Sequence, residues 1–264
     1  MYIHFANTTF PPEGWADVAA VWCASIPYLK AILPSARPAP VTLNGGMSMP
    51  SWYDIVGLDE KSSEKVDGIE ASVEVVRGIV QEELLIGVAP SRIVLAGFSQ
   101  GGALSLFTGL QLPSDQKPAA IVVMSGYLAG AGRVNITEGF EDIPILHCHG
   151  TGDMVVRYDW AAKSKDHLEK KGVLSYTLKT FEGMPHTANE GVVQAVLEFL
   201  REQIPIDENF VIKPKTPAEM SVKELKVAVR NAGLAAQAVV FSEKREFVEL
   251  LERHYAENST VFNI

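Results

Sequence analysis

Cysteine is nearly absent from this sequence: Cys23 and Cys148 are the only two in 264 residues. Two thiols cannot build a disulfide framework, and no Cys/His cluster has the short spacings of a zinc site. A reducing compartment is therefore expected, and the cytoplasm is the simplest one. Basic surplus is missing too, since 23 Lys and Arg face 32 Asp and Glu for a formal net charge of −9. A polyanion finds no electrostatic footprint in that balance, so nucleic acid is not expected as a partner. No run approaches the roughly 18 consecutive apolar residues of a membrane span. Met1 to Ala6 offers neither the basic n-region nor the apolar h-region of a secretion signal. Tyr2 stands where N-myristoylation needs glycine, and Phe262-Asn263-Ile264 carries no cysteine for prenylation.

What is present is an alternation. The length suits one principal domain of the usual ~100–250 residues plus an appendage. From about Tyr28 to Ile204, short β-branched or apolar runs alternate with longer amphipathic segments. This is the βαβα pattern of an α/β fold, a mostly parallel sheet with helices on both faces. Strands are expected at about Lys30–Leu33, Arg92–Ala96, Ala120–Met124, Ile143–His147 and Ser175–Thr180. Helices are expected at about Trp15–Ala24, Lys65–Leu85, Gly101–Leu110, Tyr158–Lys170 and Glu190–Gln203. Residues 1–206 are assigned to this domain. Residues 207–219, where Lys213-Pro214-Lys215-Thr216-Pro217 breaks the pattern, read as a linker. Residues 220–257 read as a small helical module: Ser221 and Glu224 form a capping box, Gly233 ends the first helix, and Phe247, Leu250 and Leu251 share one face of the second.

Gly97-Phe98-Ser99-Gln100-Gly101 matches G-x-S-x-G between the apolar run Ile93-Val94-Leu95-Ala96 and the helix start Gly102-Ala103-Leu104. In that context the motif reads as a nucleophile elbow; out of it, as an ordinary glycine-rich turn. A strained turn needs small neighbours two residues either side of the serine, and Gly97 and Gly101 supply them. A serine hydroxyl needs a base, and the α/β-hydrolase fold orders its triad Ser, acid, His along the chain. His4 precedes Ser99, His147 and His149 lie in or at the end of a strand, His167 in a charged helix, and His254 in the appendage. His186, in the loop Glu182-Gly183-Met184-Pro185-His186, is left as base. Asp153, just past the strand ending at Gly150, is the acid. His149 reads as a structural residue at a strand end, and Cys148 as a buried small hydrophobe.

With these motifs placed, the chain resembles the acyl-protein thioesterase family, also called the small carboxylesterase/lysophospholipase family. The resemblance runs from roughly Gly14 to Pro205. It rests on Gly14-Trp15, Pro34-Ser35-Ala36, Pro40-Val41-Thr42-Leu43-Asn44, Met49-Pro50-Ser51-Trp52-Tyr53-Asp54, Gly97 through Leu106, His149-Gly150 and Glu182 through His186. It implies an acyl-serine mechanism with Ser99, Asp153 and His186 as triad, no metal and no cofactor, and an acylated protein, small ester or lysophospholipid as substrate. The Gln100 amide, directly after the nucleophile, is implied as one oxyanion donor. The second donor comes, in the family, from a His-Gly-x-Gly-Asp loop after the first core strand. Here its counterpart is His4 to Glu13, without those glycines, and Ala6 stands nearest the donor position. Only Tyr2 and Ile3 are left for the leading strand, which is expected to be truncated or degenerate. A catalytically impaired relative that binds acyl groups or proteins is the alternative this departure raises. Met49, Trp52 and Tyr53 are implied near an acyl-binding groove, although Trp52 and Tyr53 read equally well as core aromatics. Met220 to Tyr255 is similar to a SAP-like helix–extended–helix module, whose matched charges favour a protein partner.

Overall fold

Unbroken apolar runs such as Ala120–Met124 give the central strands two buried faces, and two buried faces require helices above and below. The structure, a computed structural model, describes residues 2–5, 13–57, 59, 62–206, 216–220 and 222–258. Its strands are β1 (Tyr2–Phe5), β2 (Ala31–Ile32), β3 (Pro38–Val41), β4 (Met47–Pro50), β5 (Val94–Phe98), β6 (Ala120–Met124), β7 (Ile145–Gly150) and β8 (Tyr176–Phe181). Among the described residues, six of them form one sheet in the order β2-β1-β5-β6-β7-β8, with every pairing parallel. The helices of this part are α1 (Glu13–Ser25), α2 (Ile69–Leu85), α3 (Gln100–Gly109), α4 (Tyr158–Lys170) and α5 (Glu190–Gln203).

The period-two pattern sorts the core. Leu95, Ile121, Val123 and Ile145 pack with Val73, Val76 and Val80 of α2, Leu104 and Phe107 of α3 and Leu168 of α4. Val94, Ala96, Phe98, Val122, Met124, Leu146 and Cys148 pack with Trp15 and Trp22 of α1, with Ile26 just past its end, and with Val192, Val196 and Leu200 of α5. A one-residue slip of any central strand would exchange its two faces, so the register is strongly specified. The Asn189 side chain accepts from the Val192 amide at 3.0 Å and starts α5 where the sequence places it.

The leading strand corrects an expectation. β1 runs to Phe5 and pairs residue for residue with β5, from Tyr2 opposite Val94 to Phe5 opposite Gly97. It also pairs with β2 at Tyr2 and Ile3. The demand is non-local, because β5 has a row of buried backbone groups that must be satisfied along its length. A second departure is the antiparallel hairpin of β3 and β4. Pro38 and Pro40 weaken its strand signal, yet proline is tolerated in strands with an open edge.

The chain divides into two compact units, Met1–Phe210 and Val211–Ile264. The second holds α6 (Val222–Asn231) and α7 (Lys244–Asn258) around Leu225, Val229, Phe247, Leu250 and Leu251. Phe241 meets Phe247 edge-on at 5.3 Å. The expected cap Ser221 lies outside the described residues. Glu246 accepts the amides of Ser242 and Glu243 at 2.8 Å each, which satisfies donors at the start of α7.

Helix α3 is buried along its whole length and lies close against β5 and β6. A Cβ on Gly102 would come 2.8 Å from the Gly97 carbonyl oxygen and 3.0 Å from a Val123 methyl. Helix propensity alone favours alanine there by about 1 kcal/mol, whereas overpacking typically costs about 1–3 kcal/mol. Gly102→Ala is therefore expected to lower the urea midpoint. A raised midpoint would mean that α3 can retreat from the sheet.

Candidate active site

At the end of β5 the chain enters α3 within one residue, and Ser99 takes φ +53°, ψ −120° to make that turn. Such a conformation costs a non-glycine residue about 1–3 kcal/mol. It is held by the Ser99 amide donating to Met124 O at 2.8 Å and by the Ala103 amide donating to Ser99 O at 3.0 Å. A Cβ at Gly97 would lie 2.2 Å from the Gly101 carbonyl carbon. Gly97 and Gly102 are thus two positions where the elbow has no room.

On the next strand but one, β7 ends at Gly150 and the turn that follows carries Asp153. The Asp153 carboxylate is buried, and it is fully engaged. Oδ1 accepts the amides of Val155 and Val156 at 2.9 and 2.8 Å. Oδ2 lies 2.7 Å from His186 Nδ1 and 3.4 Å from His149 Nε2. Burial opposes ionisation, but the hydrogen bonds from His149 and His186, with the Val156 amide, outweigh it and hold the carboxyl well below the usual carboxylate range.

His186 Nε2 lies 3.0 Å from Ser99 Oγ. Its ring rests on Phe98 with centroids 4.9 Å apart. Its loop is docked by glycines: a Cβ on Gly150 would fall 1.9 Å from Met184 O, and the Gly152 amide donates to Met184 O at 3.2 Å. Ser125, at the tip of β6, is the other described non-glycine residue with positive φ, +48°. Its hydroxyl donates to Thr187 O at 3.3 Å, beside His186. The sequence reading missed Ser125, because its only signal is a position one residue beyond a strand.

Ser99, His186 and Asp153 are thereby brought into one hydrogen-bonded line. Gln100 opens α3, where the first amides have no partner within the helix. Its buried side chain holds the 51–53 segment, accepting from the Trp52 amide at 3.0 Å and donating to Tyr53 O at 2.7 Å. Trp52 and Tyr53 are each 3% exposed and belong to the core beneath α3, while Met49 on β4 is half-buried. Of the two readings open for those aromatics, their burial is that of core residues. Ala6 lies outside the described residues. Burial pushes the Cys148 thiol up to about 12, so it is inert as a nucleophile.

The family model for phospholipase/carboxylesterase matches residues 9–204. The chain belongs to that family. Acyl-protein thioesterase 1 of Neurospora crassa is 35% identical over 218 residues, covering 78% of this chain and 86% of that protein. Acyl-protein thioesterase 1 homolog 1 of Dictyostelium discoideum is 32% identical, covering 73% of this chain and 85% of its own. Two solved structures share the fold: SOBER1 of Arabidopsis thaliana, at TM-score 0.67 and 23% identity over 77% of this chain and 98% of that one, and Zea mays acyl-protein thioesterase 2, at TM-score 0.64 and 22% identity over 77% and 93%. Within the phospholipase/carboxylesterase family the chain is a serine hydrolase of the carboxylic-ester class with the α/β-hydrolase fold.

The lowered Asp153 pKa makes stability depend on pH. A carboxyl depressed in the folded state stabilises fully above its unfolded value of about 3.9 and loses that contribution as pH falls through the folded value. Asp153→Asn is therefore expected to lower the denaturant midpoint near neutral pH, with the gap to the parent narrowing below about pH 4. Midpoints measured for both proteins across that range check it. A gap that widens on acidification would reverse the sign.

Proposed function

We propose that this protein hydrolyses acyl thioesters of acylated proteins, and with them carboxylic esters such as lysophospholipids, through an acyl-Ser99 intermediate. The observation that carries the reading is the single line in which His186 reaches Ser99 Oγ at 3.0 Å and Asp153 Oδ2 at 2.7 Å. The relatives named acyl-protein thioesterase give the substrate class. Ser99 Oγ attacks the acyl carbonyl carbon as its proton passes to His186 Nε2, and Asp153 stabilises the imidazolium through Nδ1–H. The developing oxyanion accepts the Gln100 amide at the positive end of α3. The second donor is assigned to the segment around Ala6. Collapse expels the thiolate or alkoxide, which takes the proton back from His186. A water then attacks the acyl-serine by the same route and releases the acid.

Thioester and oxyester carbonyls pass through the same kind of tetrahedral intermediate, so one site serves both. Among the described residues no helix is long and apolar enough to cross a membrane. The two cysteines are unpaired, which suits the reducing cytoplasm. Residues 220–257 are read as a SAP-like docking module for a protein partner, supported by two helices closed on an apolar core of their own.

Ser99→Ala should abolish turnover of an acyl thioester and labelling by a fluorophosphonate, with the thermal midpoint retained. His186→Ala should be nearly as damaging, because the two residues act as a unit. Near-parental turnover in Ser99→Ala would end the triad reading. A parent protein that binds acyl chains but resists the fluorophosphonate would favour the non-catalytic relative instead.

A further inference from the structure

Behind Asp153 runs a buried chain of side chains that hydrolysis by the triad does not itself employ. Tyr176 OH lies 2.7 Å from His147 Nδ1, His147 Nε2 lies 3.2 Å from His149 Nδ1, and His149 Nε2 lies 2.7 Å from Val156 O. Both imidazoles are fully buried. The carbonyl of Val156 can only accept, so His149 Nε2 must carry a hydrogen. One order of donors is consistent with these side-chain contacts: Tyr176 O–H donates to His147 Nδ1, His147 Nε2–H to His149 Nδ1, and His149 Nε2–H to Val156 O and, at 3.4 Å, to Asp153 Oδ2. Burial, and then the neighbouring His149, push the pKa of His147 well below the ordinary histidine value, which keeps that ring neutral.

The same turn is gripped from both ends. Val156 donates its amide to Asp153 Oδ1 and gives its carbonyl to His149. We infer that His149, oriented by His147 and Tyr176, is a positioning residue: it fixes the turn that aims Asp153 at His186 and draws off part of the carboxylate charge that His186 feels. The inference rests on the triad reading and extends it by three residues. It also revises the role of His149, which holds the acid in place besides filling a strand end. Tyr158 also faces this chain, its ring 6.1 Å from His149, and the field of Glu169 reaches Tyr176.

Three variants test it on one thioester substrate. His149→Leu keeps bulk and removes the donor, His149→Gln keeps an N–H near the Nε2 position, and Tyr176→Phe removes only the hydroxyl at the far end. His149→Leu is expected to lose kcat by about 10–100-fold, the range for outer groups that orient a functional side chain at metal sites, with KM little changed. Its acid limb in kcat/KM should move to higher pH, because Asp153 relieved of a donor stabilises the His186 imidazolium more strongly. His149→Gln should stay within about threefold of the parent if the donor is what matters. Tyr176→Phe should show a smaller limb shift of the same sign. If His149→Leu does not fold, the limb of Tyr176→Phe decides. An unmoved acid limb in the folded variants, or Gln no better than Leu, overturns the inference. Ser99→Ala, run alongside, separates the two readings: if it is inactive while these variants behave as the parent, the triad stands and the positioning role falls.

Discussion

An ionised carboxylate out of contact with water is a demanding group in any protein, and the arrangement around Asp153 satisfies it. An unpaired buried charge costs several kcal/mol even after relaxation. Two backbone amides and two imidazoles face the Asp153 oxygens. Each donor depends on a separate piece of the chain: the amides on the turn after β7, His149 on the end of β7 itself, His186 on the loop after β8. The loop can close on the turn only because Gly150 and Gly152 leave room for the backbone at Gly183 and Met184. One carboxylate therefore fixes the relation between two loops that are more than thirty positions apart in sequence.

The serine side is built on strain. Ser99 and Ser125 sit at positive φ at the tips of adjacent strands. At about 1–3 kcal/mol each, such residues persist only where the surroundings leave no alternative. The surroundings here are the ladder, which continues past both strand ends through Ser99 N–H to Met124 O and Ser125 N–H to Cys148 O, and a helix buried on every residue. Hydrophobic burial of α3 between α2 and the sheet is large enough to carry that cost.

Legibility followed the distance over which each feature is determined. β6 and helices α4 and α5 match their expected bounds, since period-two and period-3.6 patterns are local. The three residues of the hydrogen-bonded line, Ser99, Asp153 and His186, were singled out in the sequence because a motif, a chain-order rule and six histidines leave little choice. The full length of β1 was not, because what extends it to Phe5 is the need of β5 for a partner. The Tyr176–His147–His149 chain was equally hidden: Tyr176 meets that face only through the β7–β8 register, which sets Ile145 opposite Tyr176 and His147 opposite Leu178. Trp52 and Tyr53 show the opposite limit, for a motif can mark a segment without telling whether its rings face a ligand or the core.

The two histidines that share Asp153 Oδ2 differ in exposure, and under the proposed triad that difference separates a base from its support. A base must exchange protons with a substrate group and with water, so one ring nitrogen has to reach the site. His186 meets that condition, with its side chain 13% exposed and Nε2 against Ser99 Oγ. His149 does not: it is 0% exposed, and both its nitrogens are already engaged by His147 and Val156. Chain order selects His186 because the base follows the acid in this fold. The geometry favours it for an unrelated reason, the direction in which its second nitrogen points, toward Ser99 Oγ. A histidine four residues before the aspartate, on the strand that leads into its turn, can grip that turn only from behind.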